Sequence, residues 1–419
     1  MPTDTHKVIS YRSTAIACYM GNIVQSVVIN LTPILFIPLR EQFGLSFQQL
    51  GFLILVNFIT QVACDILFSN LIDKIGFRPL ALLAHVLTVI GFVLFALSPF
   101  FFSTPYIGFL LATIIFSGAG GLLEVLLSPI INAIPTDEKA AAMSIMHSFY
   151  AWGQVGVIVI TTFALFVFSR ASWPWIVLCW SILPIANFLL FCRVPLAPPV
   201  PEEHRQGMRM LITKPFFLMI FLVILLGGAA ENSIAQWTSA FMEKAVNLPK
   251  VVGDVGGMSM FALMLGLGRL LHGKFGARFD LSRVMRLGAL CAFVCYIIVA
   301  VSPIPFFSLL ACAACGFMVS LMWPGSLVLA AEKYPMAGSW MFAILACGGD
   351  IGCSLGPWLI GLLTDHLPQL PAVSTLAGSL GLSADQIGLR LGMLGSAIFP
   401  LGAFVCLLWV CRKGTAPEA

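Results

Sequence analysis

Five ionisable residues lie inside long apolar stretches of the sequence, where charged side chains are rare. Four are the acids Asp65, Glu124, Glu231 and Asp350, and the fifth is the base Arg269. A charge at the centre of a lipid bilayer costs about 2.5–3.5 kcal/mol on insertion scales. Residues kept at such a cost are functional candidates, because ionisable groups inside membranes usually bind, relay or gate something.

Glu124 has the most complete polar surroundings of these acids. Gly120, Glu124, Ser128 and Asn132 recur every four residues, which places them on one face of a helix. The small Gly120 lets another helix or a ligand approach closely. A carboxyl that faces each side of a membrane in turn can carry a proton across it, and we predict this role for Glu124. The other candidates for the proton are Glu231, Asp350 and His147.

Neutral polar residues form similar rows on two other apolar segments. Each row pairs an amide with a serine, and both lie near the middle of their segments. One contains Asn22, Gln25, Ser26 and Asn30, and the other contains Asn232, Ser233 and Gln236, beside Glu231. Such groups suit hydroxyl-rich or zwitterionic solutes, because an apolar ligand would leave them without partners. Gln154, Asp350 and the ring of Trp323 are added to the predicted binding set. The alternative is that these groups only join helices to one another.

The composition requires a membrane environment for these rows. Hydrophobic residues make up 59% of the 419 and charged residues only 10%, against about 25% charged in an average soluble domain. Apolar stretches of spanning length recur along the chain. We predict an all-α integral membrane protein whose twelve helices cover 12–39, 47–73, 79–100, 105–132, 138–169, 172–192, 215–245, 251–276, 281–302, 304–331, 336–366 and 386–411.

Residues 193–214 are the long polar interruption near the midpoint, and they divide the chain into 1–192, 193–214 and 215–419. We predict that each outer part is a six-helix bundle and that 193–214 is a cytoplasmic linker. Residues 367–385 are expected to form a polar loop. With both termini inside, 16 of the 22 Lys and Arg residues fall on the cytoplasmic side and 5 outside. This bias predicts cytoplasmic termini in a multi-pass protein of the plasma membrane.

The two parts also look like repeats of one another. The second segment closes on Ser69 to Arg78, and the eighth closes on the related run from Arg269 to Phe279. The first of these runs resembles the loop motif G-x-x-x-D-R-x-G-R-[RK] of the major facilitator superfamily. Asp73, Gly76 and Arg78 match it, Lys74 keeps the charge, and Ser69 and Phe77 depart from it.

This resemblance implies a fold of two pseudo-symmetric six-helix bundles that opens alternately to each side of the membrane, with the substrate site between the bundles. In that family the loop residues latch helices together on the cytoplasmic side. The residues that carry this implied gating role here are Asp73, Lys74 and Arg78, and we add Asp65 and Arg269, which occupy equivalent positions in the two repeats.

Within the superfamily, the chain is similar to the fucose permease-like branch of sugar:proton symporters. The fourth helix carries Glu124, and the run His147-Ser-Phe-Tyr150-Ala-Trp-Gly153 follows on the fifth. That branch is expected to have an acid on the first helix as well. An amide such as Asn30 stands in its place here.

We therefore expect a secondary transporter that moves a small polar solute, such as a sugar, with a proton or sodium ion. The alternatives are a proton-driven exporter of amphipathic compounds, favoured by the 34 Phe and 17 Met residues, and a membrane sensor that transports nothing. The sequence shows no nucleophile–base arrangement or phosphate-binding loop of an enzyme, no metal-ligand cluster and no nucleic-acid-binding motif. We expect a monomer in the lipid bilayer, with no cofactor.

Overall fold

The computed structural model describes residues 11–68, 75–135, 139–196, 212–275, 279–334 and 339–413. In these ranges the secondary structure is helical, with no strand. Twelve of the helical segments are long and apolar enough to cross a membrane. The fold predicted from composition and periodicity is therefore confirmed.

We number the spanning segments in chain order and give each as the structure has it. They are α1 (Arg12–Ile34), α2 (Phe47–Phe68), α3 (Phe77–Phe101), α4 (Pro105–Ala133), α5 (Lys139–Phe168), α6 (Trp173–Trp180 and Ile182–Arg193), α7 (Pro215–Lys244), α8 (Val252–Ser259 and Met260–Phe275), α9 (Leu281–Val301), α10 (Pro305–Val319 and Met322–Lys333), α11 (Ser339–His366) and α12 (Ala384–Ser396 and Ile398–Lys413). We call the side of the molecule where α1 begins and α12 ends the linker side, and the opposite side the distal side.

Two short helices on the distal side differ from the predicted boundaries. The first predicted helix ends early, at Ile34, and the chain continues after a turn as a separate helix, Phe36–Phe43. The predicted loop 367–385 contains a helix, Pro371–Leu380. A proline begins this helix and a glycine ends it. Pro371 occupies the first helical position, where its missing N–H costs nothing, and Gly381 ends the helix in the left-handed conformation with φ 65°.

The two halves of the chain meet most closely where α2 crosses α11 on the distal side. Glycines allow this approach, because a Cβ on Gly51 would lie 3.1 Å from the carbonyl oxygen of Pro357, and a Cβ on Gly361 would collide with the backbone of Phe47. Asp365 caps the start of α2 from the other half, accepting hydrogen bonds from the backbone N–H groups of Phe47 at 3.2 Å and Gln48 at 2.5 Å.

Ion pairs join the same distal ends. Arg170 lies 2.6 Å from Glu243, and Lys244 lies 2.6 Å from Glu41. Partial burial acts to raise the pKa of Glu41, but the hydrogen bond from Lys244 and the charge of Arg170 outweigh it and hold the pKa below its usual range. The Glu41 carboxylate therefore stays ionised at neutral pH and loses these partners only when the pH falls through its lowered pKa.

A buried ion pair lies under these surface contacts. Lys250 Nζ is 3.1 Å from an oxygen of Asp254, and the two side chains are 8% and 0% exposed. Thr162, on α5 of the other half, donates a hydrogen bond of 2.5 Å to the same carboxylate. Elsewhere on the distal side, the ring of Trp237 packs edge-on against Phe36 of the first half, and its Nε1–H donates to the carbonyl of Pro357 at 2.8 Å.

We predict that Asp254→Ala destabilises the protein by about 3–5 kcal/mol, because it leaves the Lys250 ammonium buried without its counter-ion. The double variant Asp254→Ala/Lys250→Met should recover much of this loss, since it removes both charges together. Thermal unfolding of the purified protein in detergent measures both. A double variant no more stable than Asp254→Ala alone would contradict the assignment.

Candidate functional site

A cavity of ≈ 520 Å³ lies between the two halves, on the linker side of the distal contacts. Helices of both halves contribute to its wall, as expected for a site shared by two bundles. The residues that line it are Asn22, Gln25, Ile29, Asn30, Phe58, Glu124, Leu127, Ser128, Met146, His147, Tyr150, Gln154, Glu231, Asn232, Ala235, Phe261, Arg269, Trp323, Pro324, Leu327, Asp350 and Cys353.

Two hydrogen-bonded groups of polar side chains form the wall from the first half. Gln25 Nε2 donates to Glu124 Oε2 at 3.1 Å, which joins α1 to α4. Deeper in the cavity, Gln154 Nε2 on α5 donates to Asn30 Oδ1 at 3.1 Å. Asn30 also lies 3.5 Å from the hydroxyl of Tyr150. The row predicted on α1 therefore places Gln25 and Asn30 at the cavity, each held by a partner on another helix.

The wall from the second half contains a matching amide and an ion pair. Asn232 Nδ2 on α7 donates to the sulfur of Cys353 at 2.8 Å. One position before it, Glu231 accepts from Arg269 Nη2 of α8 at 3.3 Å. The carboxylate of Glu231 is thus paired with a cation, whereas Glu124 is held by a neutral amide.

The indole of Trp323 on α10 forms part of the wall next to Asp350. It lies against the backbone of Gly349, where the ring occupies the space that a Cβ would need. The break in α10 between Val319 and Met322 directly precedes this residue. A flat aromatic surface beside hydrogen-bonding groups can hold the apolar face of a sugar ring or of another small polar solute.

Three acids from three helices come together beside the cavity. One carboxylate oxygen each of Asp65, Glu124 and Asp350 lies within 4.8 Å of the others. Asp65 and Glu124 belong to α2 and α4 of the first half, and Asp350 belongs to α11 of the second. Asp350 is 5% exposed, and its Oδ2 has no hydrogen-bond partner. These are the residues in the described part of the chain whose positions are compatible with a bound cation.

The linker side of the cavity is its accessible side. His147 and Arg269 line it there, and both side chains are exposed. His147 Nε2 lies 3.5 Å from the hydroxyl of Ser128. This structure is therefore closed on the distal side and open toward the linker side.

Most of the predicted binding and proton-carrying residues line the cavity, but two do not. Ser26 hydrogen-bonds to the carbonyl of Ile23 and packs against Gly153, and Gln236 is buried with its amide on Asn232. Each is four residues from an amide that lines the cavity, but its side chain is bonded within its own helix instead of lining the cavity. Tyr150 and Cys353 line the cavity although they were left out of the predicted set. Tyr150 lies three residues after His147 and four before Gln154, and that spacing was the available signal.

The residues given a gating role fall in three places. Arg269 lies in the cavity wall and Asp65 in the acid cluster. Arg78 donates to the carbonyls of Cys192 at 2.5 Å and Val194 at 2.7 Å, where α3 meets the end of α6. Asp73 and Lys74 lie outside the described residues, as does most of the predicted linker 193–214.

A sequence comparison with protein families matches residues 15–357 to the Major Facilitator Superfamily. A search by sequence among curated proteins gives no match. The family match covers α1 to α10 and most of α11, so it includes both halves of the cavity.

Solved structures similar to this chain are membrane transporters of several kinds. A bacterial homologue of the human lysosomal transporter Spinster, in an inward-facing and occupied conformation, has a TM-score of 0.77 at 16% identity, covering 96% of this chain and 97% of that one. A D-xylose-proton symporter has a TM-score of 0.76 at 15% identity, covering 93% and 97%. The fucose:proton symporter of E. coli has 0.61 at 15% identity, covering 96% and 99%. At these identities the likeness shows the fold alone.

Proposed function

Because the chain belongs to the major facilitator superfamily and is a transporter rather than an enzyme, we propose that it moves a small polar solute by alternating access, coupled to protons through Glu124. The observation that carries this proposal is the cavity between the halves. Amides from both halves line this cavity. Glu124 lies in its wall and accepts a hydrogen bond from Gln25.

The chemistry of the wall favours a solute that makes many hydrogen bonds. Asn22, Gln154 and Asn232 face the cavity. Each amide donates one hydrogen bond within the protein, and an apolar solute would leave its remaining N–H without a partner in a confined space. Trp323 adds a stacking surface. These features suit a sugar or a molecule of similar polarity. The sugar:proton symporters among the similar structures are consistent with that class.

The orientation and location that we propose follow from the distribution of basic residues. Lys and Arg concentrate on the linker side, which we assign to the cytoplasm of a plasma membrane protein. In this orientation the structure is the inward-facing state, with its distal contacts closed toward the outside. The proposed working form is a monomer. Its first bundle is residues 1–192, its linker is 193–214 and its second bundle is 215–419.

One feature of the cavity favours a different solute class. Phe58, Met146 and Phe261 interrupt the polar wall, and such residues adapt to amphipathic ligands. The second candidate is therefore a proton-driven exporter of amphipathic compounds. The two candidates differ in the direction of the pH gradient that concentrates the solute.

Uptake into proteoliposomes tests the proposal directly. The panel should contain monosaccharides, nucleosides and lipophilic cations, each measured with a pH gradient of either direction and with none. The polar-solute symporter predicts accumulation of one polar class when the outside is acidic. Accumulation only of lipophilic cations, driven by an acidic lumen, would support the exporter. If no solute of any class is moved under either gradient, both transporter candidates are contradicted. That result is the one expected for a membrane sensor that transports nothing.

We predict that Asn232→Ala weakens the apparent affinity for the transported solute about tenfold, because one hydrogen bond is lost and a solute group is left without a partner. Concentration-dependent uptake measures it. Asn132→Ala is the matched control, since Asn132 is an exposed amide that does not line the cavity. Equal losses in both variants would contradict a contact between Asn232 and the solute.

A further inference from the structure

The acid cluster formed by Asp65, Glu124 and Asp350 has a geometry that a proton carrier does not require. One acid is sufficient to carry a proton, as proposed for Glu124. Here three carboxylates from both halves of the molecule place oxygens within 4.8 Å of one another. Like charges this close repel, so the three acids stay together by holding protons or by sharing a bound cation.

The charge of the cluster is not balanced by a neighbouring base. In the described part of the chain, the ion pairs involve Arg40, Arg170, Lys244, Lys250, Arg269 and Arg283, and none of their partners is one of these three acids. The nearest cavity base, Arg269, is bonded to Glu231 instead. When the three acids are ionised, no described base balances their charge, and a bound cation can do so.

An independent observation is the state of the individual oxygens. Asp350 is 5% exposed, and its Oδ2 is buried without a hydrogen-bond partner; Oδ1 of Asp65 is in the same condition. Buried carboxylate oxygens without partners are uncommon in proteins, and a bound ion, water or proton accounts for them. Among the described residues, Gln25 donates a hydrogen bond to Oε2 of Glu124 at 3.1 Å, and the other carboxylate oxygen is the one that we assign to the cation.

The spacing sets an upper limit on the distance between a shared cation and the three oxygens. The centre of an equilateral triangle with sides of 4.8 Å lies about 2.8 Å from each corner, so one ion reaches all three oxygens at this distance or less. Calcium takes oxygen ligands at about 2.3–2.6 Å and tolerates irregular geometry. Magnesium needs about 2.0–2.1 Å in a strict octahedron. Calcium can therefore lie among the three oxygens within this limit, without the strict octahedron that magnesium demands.

We propose that Asp65, Glu124 and Asp350 form a binding site for one hard cation with the size of Ca²⁺ or Na⁺, held between the two halves. Three carboxylates favour the divalent ion, because it neutralises more of their charge. Protons compete for the same oxygens, so cation binding weakens as the pH falls. The site is defined by equilibrium binding and does not depend on which solute is transported, or on whether transport occurs.

Calorimetric titration of the purified full-length protein tests the site. At pH 8 and constant ionic strength set by choline chloride, Ca²⁺ and Na⁺ are titrated separately, with Mg²⁺ as the smaller ion. We expect saturable binding with one ion per chain, tighter for Ca²⁺ than for Na⁺ and weakest for Mg²⁺. If only Na⁺ binds saturably, the cluster is a sodium site. If neither Ca²⁺ nor Na⁺ binds, the proposal is wrong.

Three single variants locate the bound ion. Asp65→Asn, Glu124→Gln and Asp350→Asn should each weaken binding at least about tenfold, the loss expected for one charged ligand. Asp280→Asn is the matched control, because Asp280 is an exposed acid that caps α9. Binding that survives all three variants, or that is lost equally in the control, would overturn the assignment.

A second measurement tests the cation site without variants, in case one of them does not fold. For the wild-type protein alone, Ca²⁺ should raise the unfolding temperature at pH 8 and have less effect at pH 5, because a ligand stabilises the state that binds it. An equal rise at both values of pH, or an equal rise with Mg²⁺, would contradict a carboxylate site of this size. Failure of the proposed solute transport leaves both binding tests unaffected, so the two proposals fail separately.

Discussion

Glu124→Gln is expected to abolish accumulation driven by a pH gradient while solute exchange continues. Glutamine keeps the shape of the carboxyl and an oxygen that accepts the hydrogen bond from Gln25, which is 3.1 Å from Glu124 Oε2 in the wild-type protein. It cannot take up or release a proton. A gradient of one pH unit and one coupled proton support accumulation of up to about tenfold, and the variant should reach only the external concentration.

The measurement is uptake of the identified solute into proteoliposomes, with and without the gradient, together with exchange of preloaded labelled solute at equal pH. Glu332→Gln is the matched control, because Glu332 is an exposed glutamate on α10 that does not line the cavity. If Glu124→Gln still accumulates solute in response to the pH gradient, Glu124 does not carry the proton. Glu231→Gln and Asp350→Asn then identify which of the other two embedded acids does.

Gly361→Leu is expected to stop the transport cycle by preventing closure on the distal side. A Cβ at this position would lie 2.9 Å from the carbonyl carbon of Phe47 and collide with its oxygen, so α2 and α11 cannot keep their present separation. Overpacking of this kind costs about 1–3 kcal/mol, which shifts a conformational equilibrium roughly 5- to 150-fold. The molecules should therefore collect in states that are open on the distal side, with solute binding retained.

Thiol labelling measures this shift. Ala235→Cys, at the cavity wall, is placed in a background without the native cysteines and treated with a membrane-impermeant reagent from the distal side. Gly361→Leu should increase its labelling and reduce transport. Gly378→Leu is the matched control, since a Cβ at Gly378 has no atom within 4 Å. Wild-type transport by Gly361→Leu would show that the close crossing of α2 and α11 is not needed for the cycle.

The sequence was sufficient to predict the helices because the signal is local. An apolar run of spanning length must form a helix in a bilayer to satisfy its own backbone groups, and each such run is contiguous in the chain. The same reasoning located the polar rows, since residues four apart share a helix face. Asn22, Gln25 and Asn30 line the cavity on this basis, as do Glu124 and Asn232. The sequence did not distinguish a short helix from a loop at 367–385. Pro371 and Gly381 delimit a helix in the structure, but proline and glycine are also common in loops.

The relations between helices required the tertiary structure. Asp65, Glu124 and Asp350 lie on three helices in two halves of the chain, and no spacing in the sequence shows that their oxygens are within 4.8 Å of one another. The sequence also did not show that Arg269, which we predict to have a gating role by comparison with Asp65, is bonded to Glu231 in the cavity wall. Periodicity fixes the face of a helix on which a residue lies. Which other face it meets is set by close packing at points such as Gly51 and Gly361, where the absence of a side chain brings two helices together.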